Sequence, residues 1–224
     1  MRARFQAHWR TKLLLTVVLN LFFWTGYGVL GHHAFSPLRT PPLTWLDRAV
    51  SFQPELWGWV YLSSFLFTGT LPWLLPTKEG LRRYVVGLAL MSTVSFAIFL
   101  VFPVAAPRPP GPPASGVMAW IVGWDGPLNA FPSLHAGFLI YTAALTWRMF
   151  RGQCSPNVIV GGVLWGALIL YATLATRQHY ALDLVAGAAL GYISDRLAWC
   201  GSSGADAAAT MARSNGVASH DGCK

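Results

Sequence analysis

The sequence predicts an all-α, polytopic membrane protein, a six-transmembrane-helix bundle with both termini cytoplasmic. Three observations carry that prediction. Hydrophobic residues make up 54% of the 224-residue chain and charged residues 11%, against about 25% charged in ordinary soluble domains. Six predominantly apolar runs approach the roughly 20 residues needed to cross a bilayer. Lys and Arg are unevenly shared between alternate connections, twelve against four, and cytoplasmic loops are the ones that carry such an excess.

A basic cytoplasmic arm, residues 1–12, holds Arg2, Arg4, Arg10 and Lys12. The membrane domain follows over 13–200, with expected spans at 13–31, 56–76, 84–104, 134–150, 157–176 and 180–199. The first span is read as a retained helix rather than a cleaved signal peptide, because it is long and no small-x-small site follows "GYGVLGHH". Lys78, Arg82, Arg83, Arg148 and Arg151 mark the second and fourth connections as cytoplasmic. The third connection carries "APRPPGPPASG", whose backbone needs an aqueous or interfacial layer to satisfy its polar groups. The last two spans are so close that they must form a tight hairpin. From Gly201 onward the tail is rich in Gly, Ser and Ala and is expected to be disordered.

The net charge of +8 would suggest nucleic acid in a soluble protein. Here it is explained by basic residues at the cytoplasmic surface of the lipid, so no nucleic-acid partner is expected. Cys154, Cys200 and Cys223 are odd in number and lack metal-ligand spacing, so all three are read as free thiols.

Arg108, Ser133, His135, Arg177, His179 and Asp183 all fall at the non-cytoplasmic face under this topology. Ionisable residues at membrane depth are costly and face the bundle interior or a wet cavity. In "ATRQHYALDLVAG", His179 and Asp183 lie four apart, which on a helix places them on one face. A carboxylate there accepts the imidazole Nδ1–H and stabilises charge on the ring, as in acid–histidine pairs of nucleophilic catalysis, though a plain structural pair has the same spacing. In "AFPSLHAGFL", Pro132 suits a first helical turn and Ser133 can cap it. The helix N-terminus is then an anion site, with His135 just inside it as a proton donor, or a plain cap beside an incidental histidine. Arg108 offers a planar fork to phosphate oxygens, or to lipid headgroups. Arg177 is either a phosphate ligand or a headgroup anchor, with the anchor slightly preferred.

Together these residues resemble the type 2 phosphatidic acid phosphatase superfamily of membrane phosphatases and phosphotransferases. Arg108 and Pro109 match the end of its first block, "PSLH" at Pro132 to His135 its second, and His179 with Asp183 the end of its third. The matching core spans 105–190. Val101 stands at the lysine position of the first block, Leu134 at the glycine of the second, and Ala172 and Thr173 at the Ser-Arg of the third. "PSLH" with "HYxxD" looks more like the branch containing inositol phosphorylceramide synthases. The resemblance implies hydrolysis of lipid phosphate or pyrophosphate monoesters through a phosphohistidine. In it Asp183 orients His179 as nucleophile and His135 serves as acid and then base. Arg108, Ser133 and the helix N-terminus hold the phosphate, with no metal and no cofactor.

Three other readings share parts of this pattern. A phospho-headgroup transferase would use the same residues and differ in acceptor. A zinc enzyme would use His135, His179 and Asp183 as ligands, without an HExxH to support it. A non-catalytic lipid-binding or transport protein would show paired interruptions within its spans. "GAALG" at Gly187 to Gly191 suits close helix packing, within the chain in preference to between copies, with a homo-oligomer kept as the alternative.

Overall fold

The computed structural model describes residues 2–110, 116–150, 152 and 154–199. The tail expected to be disordered, Cys200, Cys223 and residues 111–115 of the Pro-rich connection lie outside the described residues. The described residues are all-helical apart from isolated bridges. Six long helices stand where the six spans are expected: α2 (Trp9–His32), α4 (Pro54–Leu74), α5 (Lys78–Val101), α7 (Leu134–Phe150), α8 (Pro156–Ala175) and α9 (Ala181–Ala198). Three short ones join them: α1 (Arg2–Gln6), α3 (Trp45–Ala49) and α6 (Val117–Trp124). By length and composition, α2, α5 and α8 are the helices long and apolar enough to cross a membrane.

Local chemistry sets the boundaries. Pro54 and Pro156 open α4 and α8, where a missing backbone N–H leaves nothing unsatisfied. Thr77 caps α5 by accepting from the Gly80 backbone N–H, so that helix starts six residues before the expected 84. Its first turn is charged rather than apolar, with Glu79 accepting from both Arg82 and Arg83. Thr44 and Asp47 form a reciprocal capping box on α3, a helix the hydropathy pattern does not show.

The bundle is built around α7 and α9, which approach until backbone meets backbone. A Cβ on Gly187 would lie 2.0 Å from the Ser133 carbonyl oxygen, and one on Gly191 2.3 Å from that of Gly137. The small-residue pattern in "GAALG" therefore serves packing inside the bundle. Arg148 of α7 grips the Asp195 carboxylate of α9 in a bidentate pair, and Asp195 is almost fully buried. The outward faces are apolar instead: Leu14, Leu21, Leu66, Val163 and Val185 are all exposed. An exterior of that kind suits lipid contact.

Replacing Gly187 by alanine forces backbone apart where α9 crosses the start of α7. The expected destabilisation is about 1–3 kcal/mol, read as a lower melting temperature of the detergent-solubilised protein. An unchanged melting temperature would show that the two helices pack less tightly than described.

Candidate active site

Three connections converge at one end of the bundle: the α5–α6 loop with Arg108, the entry to α7 with Ser133 and His135, and the α8–α9 hairpin with Gln178, His179 and Asp183. Backbone hydrogen bonds fix their register. The Ala105 N–H donates to the Arg39 carbonyl (2.9 Å), that of Ala130 to Val104 (3.1 Å) and that of Ser133 to Asp183 (3.0 Å). Asp47 adds a tie from α3, its carboxylate accepting from the Ala181 N–H at the head of α9 (2.8 Å).

His179 lies two residues before α9, so the helical i,i+4 relation to Asp183 does not hold. Asp183 is the third residue of α9, and its carboxylate caps the helix by accepting from the Tyr180 N–H (2.8 Å). The Asp183 Oδ2 is 3.7 Å from His179 Nδ1, close enough for Coulomb attraction but not a hydrogen bond. The partner of Nδ1 is the Ala130 carbonyl, at 2.9 Å. A carbonyl oxygen only accepts, so Nδ1 carries the hydrogen, and in the neutral ring Nε2 keeps its lone pair. The orienting role expected of Asp183 thus belongs to a backbone group. The carboxylate retains an electrostatic one.

That Nε2 faces His135 Nδ1 at 3.3 Å, across 44 positions of sequence. The mechanism implied by the resemblance requires roughly 4–8 Å between the nearest ring nitrogens to hold a phosphorus between them. The rings are closer than that because they bond each other directly. His135 is buried against the Tyr61 ring (centroids 4.4 Å apart) and the Phe65 ring (5.6 Å), and its Nε2 has no hydrogen-bond partner among the described residues. An unpaired buried nitrogen is costly unless a ligand completes it.

Arg108 reaches the same place. Its Nε and Nη2 both donate to Gln178 Oε1 (3.1 and 2.5 Å), and Nη2 lies 3.6 Å from Asp125 Oδ2. Asp125 is nearly fully buried and accepts from the hydroxyls of Tyr27 (2.9 Å) and Tyr61 (3.0 Å). Burial pushes its carboxyl above the usual range, while the Arg108 charge and the tyrosine hydroxyls pull it back. Asp125, Tyr61, Tyr27 and Gln178 were missed in the sequence. A signal existed for Asp125, since "IVGWDGPLNAFPS" carries the one Asp, Glu, Lys or Arg between Arg108 and Arg148.

The remaining expected residues are placed differently. Ser133 is fully buried and its hydroxyl caps α7, accepting from the Ala136 N–H (3.4 Å). Pro132 precedes that cap rather than opening the first turn. Arg177 donates to the carbonyls of Asp47 (2.7 Å) and Val50 (3.1 Å), which fastens the hairpin to α3. It is thereby committed to protein carbonyls rather than turned to a phosphate. Among the described residues, no three His, Cys, Asp or Glu side chains cluster as metal ligands.

A cavity of about 720 Å³ opens within the bundle, lined mainly by apolar residues of α2, α4, α5, α6 and α7, among them Leu19, Leu62, Leu88 and Trp120. It shares Phe23, Trp24, Phe65, Trp124 and Phe138 with a smaller space bordered by His135 and Tyr27. Its size lies within the range of small-molecule pockets, about 300–1,000 Å³.

Asp183→Asn keeps an oxygen for the Tyr180 cap and leaves the Ala130 bond intact, while removing the charge 3.7 Å from Nδ1. The expected result is a turnover loss of roughly 10–100-fold with unchanged melting temperature, because only imidazolium stabilisation is lost. A loss as large as that of removing His179 itself would restore the orienting role to the carboxylate.

A family model described as the PAP2 superfamily matches residues 40–197. Neither the curated proteins nor the solved structures contain a significant match to the chain.

Proposed function

Since the chain belongs to the PAP2 superfamily, whose members are in general phosphatases and phosphotransferases, we propose that it is a membrane-embedded hydrolase of lipid phosphate or pyrophosphate monoesters. The reaction runs through a phosphohistidine on His179. The observation that carries this reading is the fixed tautomer, with Nδ1–H given to the Ala130 carbonyl and the Nε2 lone pair aimed at His135.

In the first step Nε2 of His179 attacks phosphorus in line, the P–N bond forms and the P–O bond to the lipid alcohol breaks. His135 delivers a proton to that oxygen. In the second step His135 takes a proton from water, whose oxygen displaces Nε2 and releases inorganic phosphate. Arg108 and the N-terminal turn of α7 hold the nonbridging oxygens as charge redistributes. Asp183 steadies the positive ring of His179 from 3.7 Å. No step calls for a metal or a cofactor. The apolar cavity beside His135 supports a substrate with a hydrocarbon tail.

The same reading gives six membrane spans, α2, α4, α5, α7, α8 and α9. The termini are cytoplasmic and Arg108, His135 and His179 lie at the opposite face, periplasmic, extracellular or lumenal. A cysteine introduced at Pro110 in intact cells should react with an impermeant maleimide, whereas one at Thr77 should not. Reversed labelling would invert the topology.

The function is tested by presenting the purified protein with a panel of lipid phosphates and pyrophosphates, with and without acceptor alcohols. Release of inorganic phosphate without an acceptor, insensitive to chelators, is the expected result. Turnover only when an acceptor alcohol is present would make the protein a transferase. Loss of activity on zinc chelation would overturn the phosphohistidine.

A further inference from the structure

We propose that Asp125 is a positioning residue for this site, holding Arg108 on one side and, through Tyr61, the ring of His135 on the other. The inference rests on the reading of Arg108 and His135 given above. Asp125 sits at the C-terminal end of α6, and its carboxylate links four different segments. Oδ1 accepts from Tyr27 of α2 (2.9 Å), and Oδ2 accepts from Tyr61 of α4 (3.0 Å). The same Oδ2 lies 3.6 Å from Nη2 of Arg108 in the α5–α6 loop. Tyr61 in turn lies under the His135 ring of α7, with centroids 4.4 Å apart.

Burying a carboxylate this deeply is costly unless its oxygens are paired. A purely structural role in an apolar bundle would be met more cheaply by an apolar side chain of similar size. What the carboxylate adds is direction. The side-chain contacts of Arg108 among the described residues are with Gln178 and Asp125. The amide of Gln178 fixes the Nε and Nη2 edge, and Asp125 draws Nη2 toward the bundle axis. Nη1 makes no hydrogen bond among the described residues and is left for a phosphate oxygen. On its other side, the Tyr61 hydroxyl is tethered so that its ring stays under His135. Rotation of that imidazole, which its bond to His179 requires to be correct, is thereby limited. One carboxylate thus couples the phosphate-holding group to the proton-transferring group.

The test is a double-mutant cycle on the full-length, detergent-purified protein, with kcat and KM measured separately on a lipid phosphate that the wild type turns over. Asp125→Asn is expected to raise KM and lower kcat, for a roughly 10–100-fold loss of kcat/KM. In an Arg108→Ala background the same change should no longer raise KM and should cost only the part of kcat carried through Tyr61, because one of the two groups it positions is gone. Tyr61→Phe, which keeps the ring and the carboxylate, should lower kcat with little change in KM. It also serves as the deciding variant if Asp125→Asn does not fold. Losses that multiply independently in the cycle, or a Tyr61→Phe enzyme with wild-type kcat, would reduce Asp125 to packing. A wild type whose turnover survives His179→Ala would instead overturn the phosphohistidine reading, an outcome separable from either of these.

Discussion

His179→Ala is expected to abolish turnover, by more than about 1,000-fold, because in the proposed mechanism it removes the atom that bonds phosphorus rather than one that assists it. The same substitution should remove any phosphoenzyme trapped by rapid mixing with labelled substrate. In the wild type that adduct should be acid-labile and stable to base, as a phosphorus–nitrogen bond is. The geometry sharpens the expectation. Nδ1 is committed to the Ala130 carbonyl, so the proposed adduct would form at Nε2. A glutamine at 179 presents an amide to that carbonyl without a nucleophilic nitrogen, and it should fold while remaining inactive. An active His179→Gln protein would show that another group attacks.

His135→Ala is expected to cost roughly 100–10,000-fold on a lipid substrate, the usual range for losing a general acid. The loss should shrink when the leaving group is good. With a nitrophenyl phosphate the departing oxygen needs no proton, so the first step recovers most of its rate. The proposed second step, in which His135 would activate water, should then limit turnover. A burst of nitrophenol followed by a slow steady state is the expected trace, with phosphoenzyme accumulating. An equal loss on both substrates would mean that His135 binds or orients rather than transferring protons. Since His135 Nδ1 and His179 Nε2 are 3.3 Å apart, a substrate bound between them would also have to break their mutual bond. His135→Ala removes that obstacle and should lower KM while it lowers kcat.

Both variants rest on residues that the sequence itself singles out. Pro132, Ser133 and His135 at the mouth of one apolar run, and His179 and Asp183 at the mouth of another, are conspicuous because charge and turn chemistry are rare in such surroundings. The helices were legible for the same reason: long apolar runs have few alternatives in lipid. What sequence spacing could not give is where a helix begins. A start at Ala181 instead of before His179 turns an i,i+4 pair into a cap and leaves Nδ1 to a carbonyl 49 positions away. Short helices such as α3 and α6 escape hydropathy because neither is long enough to show a pattern. Arg177, read from the sequence as a phosphate ligand or, by slight preference, a headgroup anchor, has a positive backbone φ and reaches α3 instead. Asp125 was visible as a lone charge, but its partners come from α2, α4 and the α5–α6 loop, and no local spacing relates them.

The bond from His179 Nδ1 to the Ala130 carbonyl has a consequence for mutational scanning and for divergence. Every residue at position 130 supplies the same oxygen, so substituting that side chain leaves the His179 tautomer untouched. A scan that ranks positions by the damage of side-chain replacement would pass over the group that orients the His179 ring. The positions that report on it are those that set the path of the peptide, through Ala130 N–H to Val104 and Ala105 N–H to Arg39. An insertion or deletion at Arg39 or Val104 moves the oxygen, whereas a point change there seldom does. Tolerance to substitution combined with intolerance to length change is therefore the genetic mark this orienting group would leave.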